Sequence, residues 1–211
     1  MVPNYAAGGV IGKGGEKIAR IQKGLNVKIK MSKNNDFFPS TNERVCLMFG
    51  NVDQIMRVND IIMDRINEKP DTKTFEEDRL NQVKIIVHHN MAGSLIGKGG
   101  SHIKQIKDDT GAFVQITPRQ NDLNERILII EGDKEKRNKA LRRILREFQE
   151  NPSYENSEIT NINYGSYSSN NNSYSRDGRD SYNNKHQNNN FDIFSSTNSN
   201  TNTLCKFSSY Y

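Results

Sequence analysis

Apolar residues recur along this chain with two different periods. Val27, Ile29 and Met31 alternate with Lys28 and Lys30, and Val83, Ile85 and Val87 alternate within the run from Gln82 to Val87, the period of two that a half-buried strand requires. Ile55, Val58, Ile62 and Ile66 instead fall three, four and four residues apart, which predicts a helix from Val52 to Glu68 with one apolar face. Ala140, Leu141, Ile144, Leu145 and Phe148 place a second such face on the last helix. Between these segments, Ala6 to Val10 reads as a short helix and Gly15 to Lys23 as a longer one with Ile18 and Ile21 inward. Gly24 and Asn26 end it, Asn26 in a left-handed backbone position. Ser32 to Thr41 is a polar loop containing Pro39, and Arg44 to Phe49 is a strand closed by Gly50.

The order then repeats at an offset of 85 residues. Strand Val83 to Val87, a short helix, a helix from Ser101 to Asp108, strands Phe113 to Thr117 and Ile127 to Glu131 and the final helix match the first set, so two copies of one α+β fold are expected. Met1 to Asn4 matches only the end of the second copy's opening strand, so the first copy is expected to lack most of that strand. The units are placed at 1–69 and 81–152, with a charged, Pro70-containing linker at 70–80. A flexible linker of that size spans roughly 20 Å on average. Residues 153–211 are rich in asparagine and serine and hold most of the tyrosines, without core-forming periodicity. Disorder is expected there, with a composition that permits weak self-association or does nothing.

Composition narrows the picture further. Only 33% of residues are apolar and the mean hydropathy is −0.84, which suits two small cores rather than one large one. With no apolar run long enough to span a bilayer and no signal-peptide pattern, the chain reads as soluble and intracellular. The net charge of +5 is unevenly spread: residues 1–150 carry +6 and the remainder −1. Cys46 and Cys205 fit neither a disulfide framework nor a zinc spacing, and His88-His89 has no acidic or thiol partner at ligand spacing, so no metal or cofactor is expected. Lys134, Lys136, Arg137, Lys139, Arg142, Arg143 and Arg146 crowd the last helix, and Glu135 and Glu147 dilute them. A solvated outer face is expected, ahead of a nuclear address or a second nucleic-acid surface.

The chemistry concentrates in two glycine-rich words, Val10-Ile11-Gly12-Lys13-Gly14-Gly15-Glu16-Lys17-Ile18 and Leu95-Ile96-Gly97-Lys98-Gly99-Gly100-Ser101-His102-Ile103. Glycines three apart let a ligand reach the backbone, a helix N-terminus follows at once, and a lysine adds mobile positive charge. These parts suit a phosphate. A nucleotide-hydrolysing loop would need glycine where Ala7 and Ala92 stand and a hydroxyl where Gly14 and Gly99 stand; a dinucleotide fingerprint would need glycine at Lys17 and His102. No nucleophile, carboxylate pair or metal cluster recurs in both copies, so no catalytic residue is assigned and an enzyme is not expected.

What remains is the Gly-x-x-Gly loop that clamps single-stranded nucleic acid. The words from Gly8 and Gly93 through Ile18 and Ile103, with Glu43-Arg44 and Glu125-Arg126 before a strand, resemble type I KH domains, most closely the Nova family, and are also similar to the poly(C)-binding proteins. The resemblance covers residues 1 to about 152. It implies, for each unit, a three-stranded antiparallel sheet packed against three helices, with a groove between the glycine loop and a variable loop. The groove floor would be Ile11, Ile18, Ile29 and Met31 in the first unit and Ile96, Ile103, Val114 and Ile116 in the second. The backbone at Ile29 and Val114 would read an adenine, and Arg44 and Arg126 a cytosine, giving a preference for C-A-containing pyrimidine-rich tetranucleotides. Lys28 beside one reading strand and Phe113 beside the other, like Asn4 and His89 at another position that touches bases in relatives, need not select alike.

The resemblance further implies single-stranded RNA as partner, mRNA or pre-mRNA, in post-transcriptional control of splicing, stability or translation in the nucleus or cytoplasm. Single-stranded DNA, and a protein scaffold whose units no longer bind RNA, are the competing readings; self-association through the tail or a KH face is a further partner, and a membrane is not one.

Overall fold

The computed structural model describes residues 1–68, 81–120 and 123–151, together with the backbone of 206–207. The first unit runs β1 (Val2–Pro3), α1 (Asn4–Ile11), a one-turn helix at Lys13–Gly15, α2 (Glu16–Leu25), β2 (Lys28–Met31), β3 (Glu43–Arg44), β4 (Cys46–Phe49) and α3 (Val52–Glu68). The second runs β5 (Gln82–His88), α4 (His89–Ile96), a one-turn helix at Lys98–Gly100, α5 (Ser101–Thr110), β6 (Phe113–Ile116), β7 (Glu125–Glu131) and α6 (Lys134–Glu150). Both units are α+β with antiparallel strands, as the sequence pattern requires.

Local chemistry sets the element ends. Asn51 and Gln54 cap α3 reciprocally: Gln54 N–H donates to Asn51 Oδ1 at 2.9 Å and Asn51 N–H to Gln54 Oε1 at 2.7 Å. Gln54 Nε2 also donates to Leu25 O at 3.0 Å, tying α3 to the end of α2. Asp133 Oδ1 accepts Lys136 N–H at 2.9 Å and opens α6. The helix before each second strand closes on a left-handed residue, Asn26 at φ 50° and Gly111 at φ 69°.

The sheets differ. In the second unit β7 is flanked along its length, by β5 from Gln82↔Glu131 to His88↔Glu125 and by β6 from Phe113↔Glu131 to Ile116↔Leu128. In the first unit the strand expected at Arg44–Phe49 divides at Val45. Its first part pairs with the short β1 (Val2↔Arg44), its second with β2 (Met31↔Cys46 to Lys28↔Phe49). The backbone of β8 (Lys206–Phe207) lies along the other side of β4, with Met48↔Phe207 and Phe49↔Lys206. The expectation of disorder in the rest of the tail, and the linker at 70–80, lie outside the described residues.

Two expectations need correction, both for one reason: the units dock. Instead of two small cores, one continuous apolar cluster includes Val2, Cys46, Ile55, Ile62 and Met63 of the first unit and Val83, Ile85, Leu141 and Leu145 of the second. A cavity of about 40 Å³ at this seam is lined by the same residues and by Asn59. Phe38, Val45, Ile86 and Leu123 form a smaller cluster across the seam, so the variable loop of the first unit carries a core residue. Nor is the basic cluster of α6 a wholly solvated face, because α3 offers acids to it. Arg137 is buried with Asp60 and Asp64 in its field, Arg142 pairs with Asp53, and Asn138 Nδ2 donates to Asp60 Oδ1 at 2.9 Å. Farther along the seam, Lys84 Nζ meets Glu43 Oε1 at 2.6 Å, both side chains being largely out of water.

Candidate nucleic-acid interface

Each glycine loop is a tight turn between two helices. Gly12 N–H donates to Gly8 O at 2.9 Å and Gly15 N–H to Gly12 O at 3.2 Å; Gly97→Gly93 and Gly100→Gly97 repeat this at 3.0 and 3.2 Å. The backbone angles repeat too: φ is 77°, 61° and 82° at Gly12, Gly14 and Gly15, and 70°, 60° and 79° at Gly97, Gly99 and Gly100. Such positive values are costly for any residue with a Cβ.

The glycines divide into two kinds. A Cβ on Gly12 would lie 2.6 Å from Lys17 Cγ, and one on Gly97 would lie 2.6 Å from His102 Cβ, so these two let the next helix approach. A Cβ on Gly14, Gly15, Gly99 or Gly100 would meet no described protein atom within 4 Å beyond the adjoining chain. There the bare backbone faces open space, where a ligand can come close. No side chain caps α2 or α5 at its N-terminus. The free N–H groups of such an end attract anions, and Lys13 and Lys98 project beside them, exposed.

Hydrogen-bond parity shows what the neighbouring strand offers. Ser32 N–H donates to Val45 O at 2.8 Å and Thr117 N–H to Ile127 O at 2.9 Å. Polar main-chain groups alternate sides along a strand, so Ile29 and Met31, and likewise Val114 and Ile116, turn theirs away from the sheet. Each outward residue turns a donor and an acceptor to the same side, the pattern a base edge can match. Ile11, Ile18 and Met31, with Ile96 and Ile103, are half-buried and keep some apolar surface open. Val114 is fully buried and Ile29 and Ile116 nearly so, which gives their side chains to the core and only their main chain to the edge. Lys28 and Lys30 are exposed on β2, and Phe113 stands 48% exposed on β6 with Lys107 Nζ 4.9 Å from its ring centre.

The two arginines do not pair with the neighbouring glutamates. Arg44 Nε donates to Ser32 O at 2.9 Å, and Arg126 Nε to Thr117 O at 2.6 Å, so each is anchored at the carbonyl just past the end of β2 or β6. Arg44 is buried and its Nη2 also turns to Ser32 O; Arg126 is only half-buried. Glu43 instead bridges to Lys84, while burial raises the Glu125 carboxyl above the usual carboxylate range.

The sequence profile described as "KH domain" matches residues 1–64 and again 82–146. The chain belongs to the KH domain family. Among curated proteins it is 47% identical over 164 residues to RNA-binding protein Pasilla of Drosophila melanogaster, covering 72% of this chain and 21% of that protein. It is 37% identical over 179 residues to RNA-binding protein Nova-2 of Homo sapiens, covering 78% and 36%. The chain thus spans well under half the length of these relatives. The crystal structure of Dim2p from Pyrococcus horikoshii OT3 is similar at 17% identity and a TM-score of 0.24, over 68% of this chain and 86% of that one.

Within this KH pair, reasoning from the sequence missed Gln22. Its Oε1 accepts the outward Ile29 N–H at 2.7 Å. A polar side chain one turn before the helix-ending Asn26 is the signal that was there to use, and the second unit has Lys107 at that place. Among the described residues no helix is long and apolar enough to cross a membrane.

Proposed function

We propose that the chain binds single-stranded RNA, one short element in each unit, over residues 1–69 and 81–152. The observation that carries this reading is the twice-built loop: positive-φ glycines facing open space, an uncapped helix end and an exposed lysine, beside a strand edge with outward donor and acceptor. Phosphates rest on the loop and unstacked bases turn to the strand. The bound elements are pyrimidine-rich tetranucleotides containing C-A, with the outward main chain of Ile29 and Val114 reading adenine and the forks of Arg44 and Arg126 reading cytosine. A guanidinium fork matches the acceptors of cytosine in a way an ammonium does not. The biological setting is post-transcriptional control of mRNA or pre-mRNA, including splicing, in the nucleus or cytoplasm, by binding rather than by catalysis.

Joining the two units in one chain adds to affinity, since holding the second element becomes intramolecular and gains roughly 10² to 10⁴ where spacing allows. The test is selection from randomised RNA and matched DNA pools by the whole chain and by Arg44→Ala and Arg126→Ala. Enrichment of paired C-A elements from RNA, each relaxed by one substitution, supports the reading. Enrichment from DNA alone, or none from either pool, refutes it.

A further inference from the structure

The two reading strands carry the same outward main-chain groups, and only one of them is covered. Gln22 and Lys107 hold equivalent backbone positions near the ends of α2 and α5. Gln22 O accepts the Asn26 N–H that closes its helix, as Lys107 O accepts the Gly111 N–H at 2.8 Å. Their side chains part ways from there. Gln22 Oε1 takes the Ile29 N–H at 2.7 Å, whereas Lys107, which has no acceptor, lies over the Phe113 ring. Among the described residues, no side-chain acceptor meets the Val114 N–H, which the same parity turns outward.

An amide oxygen on an outward main-chain donor is chemically what a base acceptor would be. We infer that Gln22 sets the selectivity of the first unit by occupying, within the chain, the donor that would read a base, so that a base must displace it. This rests on the proposed binding mode. The second unit pays no such exchange and binds its element first; the first unit admits only a base whose partner groups repay the lost bond. The gate is local to one side chain, because the helix end that carries it is built alike in both units.

The test uses the whole chain with one loop silenced at a time. In the Lys98→Asp/Gly99→Asp background, binding of an eight-nucleotide pyrimidine-rich RNA containing one C-A step reports on the first unit, and Gln22→Met removes the acceptor at similar side-chain length. Binding should tighten roughly two- to tenfold, the net worth of one hydrogen bond, and amide exchange at Ile29 in the free protein should quicken. In the Lys13→Asp/Gly14→Asp background, Lys107→Gln should weaken the second unit by a similar factor. Equal or weaker binding of Gln22→Met, or unchanged exchange at Ile29, overturns the gate while leaving the groove in place. RNA binding that neither loop substitution weakens overturns the groove reading, and the gate with it.

Discussion

The first and second units share a loop whose φ values agree within about ten degrees, and they differ in what holds the strand beside it. In the second unit β7 is paired along seven residues with β5 and stands as one strand. In the first the equivalent strand is broken at Val45, β1 covers only Glu43 and Arg44, and the edge of β4 is met by the β8 backbone. The first unit also leans on its neighbour, through the Glu43–Lys84 pair and the shared core. The glycine loop is thus a local structure that survives changes in the sheet behind it, whereas the strand edge beside it inherits its surroundings. Arg44 is buried and Ile29 N–H covered; Arg126 is half-open, and no side-chain acceptor among the described residues meets the Val114 N–H.

The largest expected effect tests whether the loops are equal partners. Lys98→Asp/Gly99→Asp, and separately Lys13→Asp/Gly14→Asp, should each lower affinity for an RNA carrying two C-A elements by about 10² or more, read by fluorescence anisotropy, with unchanged circular dichroism. A Cβ on Gly14 or Gly99 would meet no described protein atom within 4 Å, so the cost to folding is the local strain of the positive φ. A loss from only one of the pairs would leave the comparison with a single working groove.

Next in size is the seam. Lys84→Ala should destabilise the chain by about 3 kcal/mol, because it strands a buried carboxylate, and urea unfolding measures this. The double variant Glu43→Leu/Lys84→Met should recover most of it. An unchanged midpoint for Lys84→Ala would mean that the first unit does not depend on its neighbour there.

A smaller effect separates the two strand pairs by pH. Cys46 faces Met31 across the ladder as Leu128 faces Ile116, but only the thiol can ionise. Burial pushes it up to about 11 from an ordinary 9.0, a raised folded pKa. Its contribution is therefore complete below pH 9 and is lost as pH climbs through 11, at up to about 1.4 kcal/mol per pH unit. Cys46→Val should flatten that alkaline slope in unfolding measured from pH 8 to 11.

The smallest effect concerns the helix stops. Gly111→Ala should cost about 1 kcal/mol at its left-handed φ, while Gly111→Asn, copying Asn26, should cost less, by thermal unfolding.

Much of this was legible in the residues themselves. The period of apolar positions marks α3 and α6, the glycine words mark both loops, and Asn26 with Gly111 marks the helix ends, because each depends on contacts within one turn or one strand. Partnership across long separations was not legible. Nothing in the spacing of Arg137, Asn138 and Arg142 says that Asp53 and Asp60 lie opposite, since a charged helix face reads the same whether it meets water or acids on another helix. The variable loop hid Phe38 for the same reason. The tertiary structure alone decided that the units share one core, that Arg44 is buried while Arg126 is not, and that Gln22 reaches Ile29. A side chain's partner is chosen by the surface folded against it, while the sequence fixes only what that side chain has to offer.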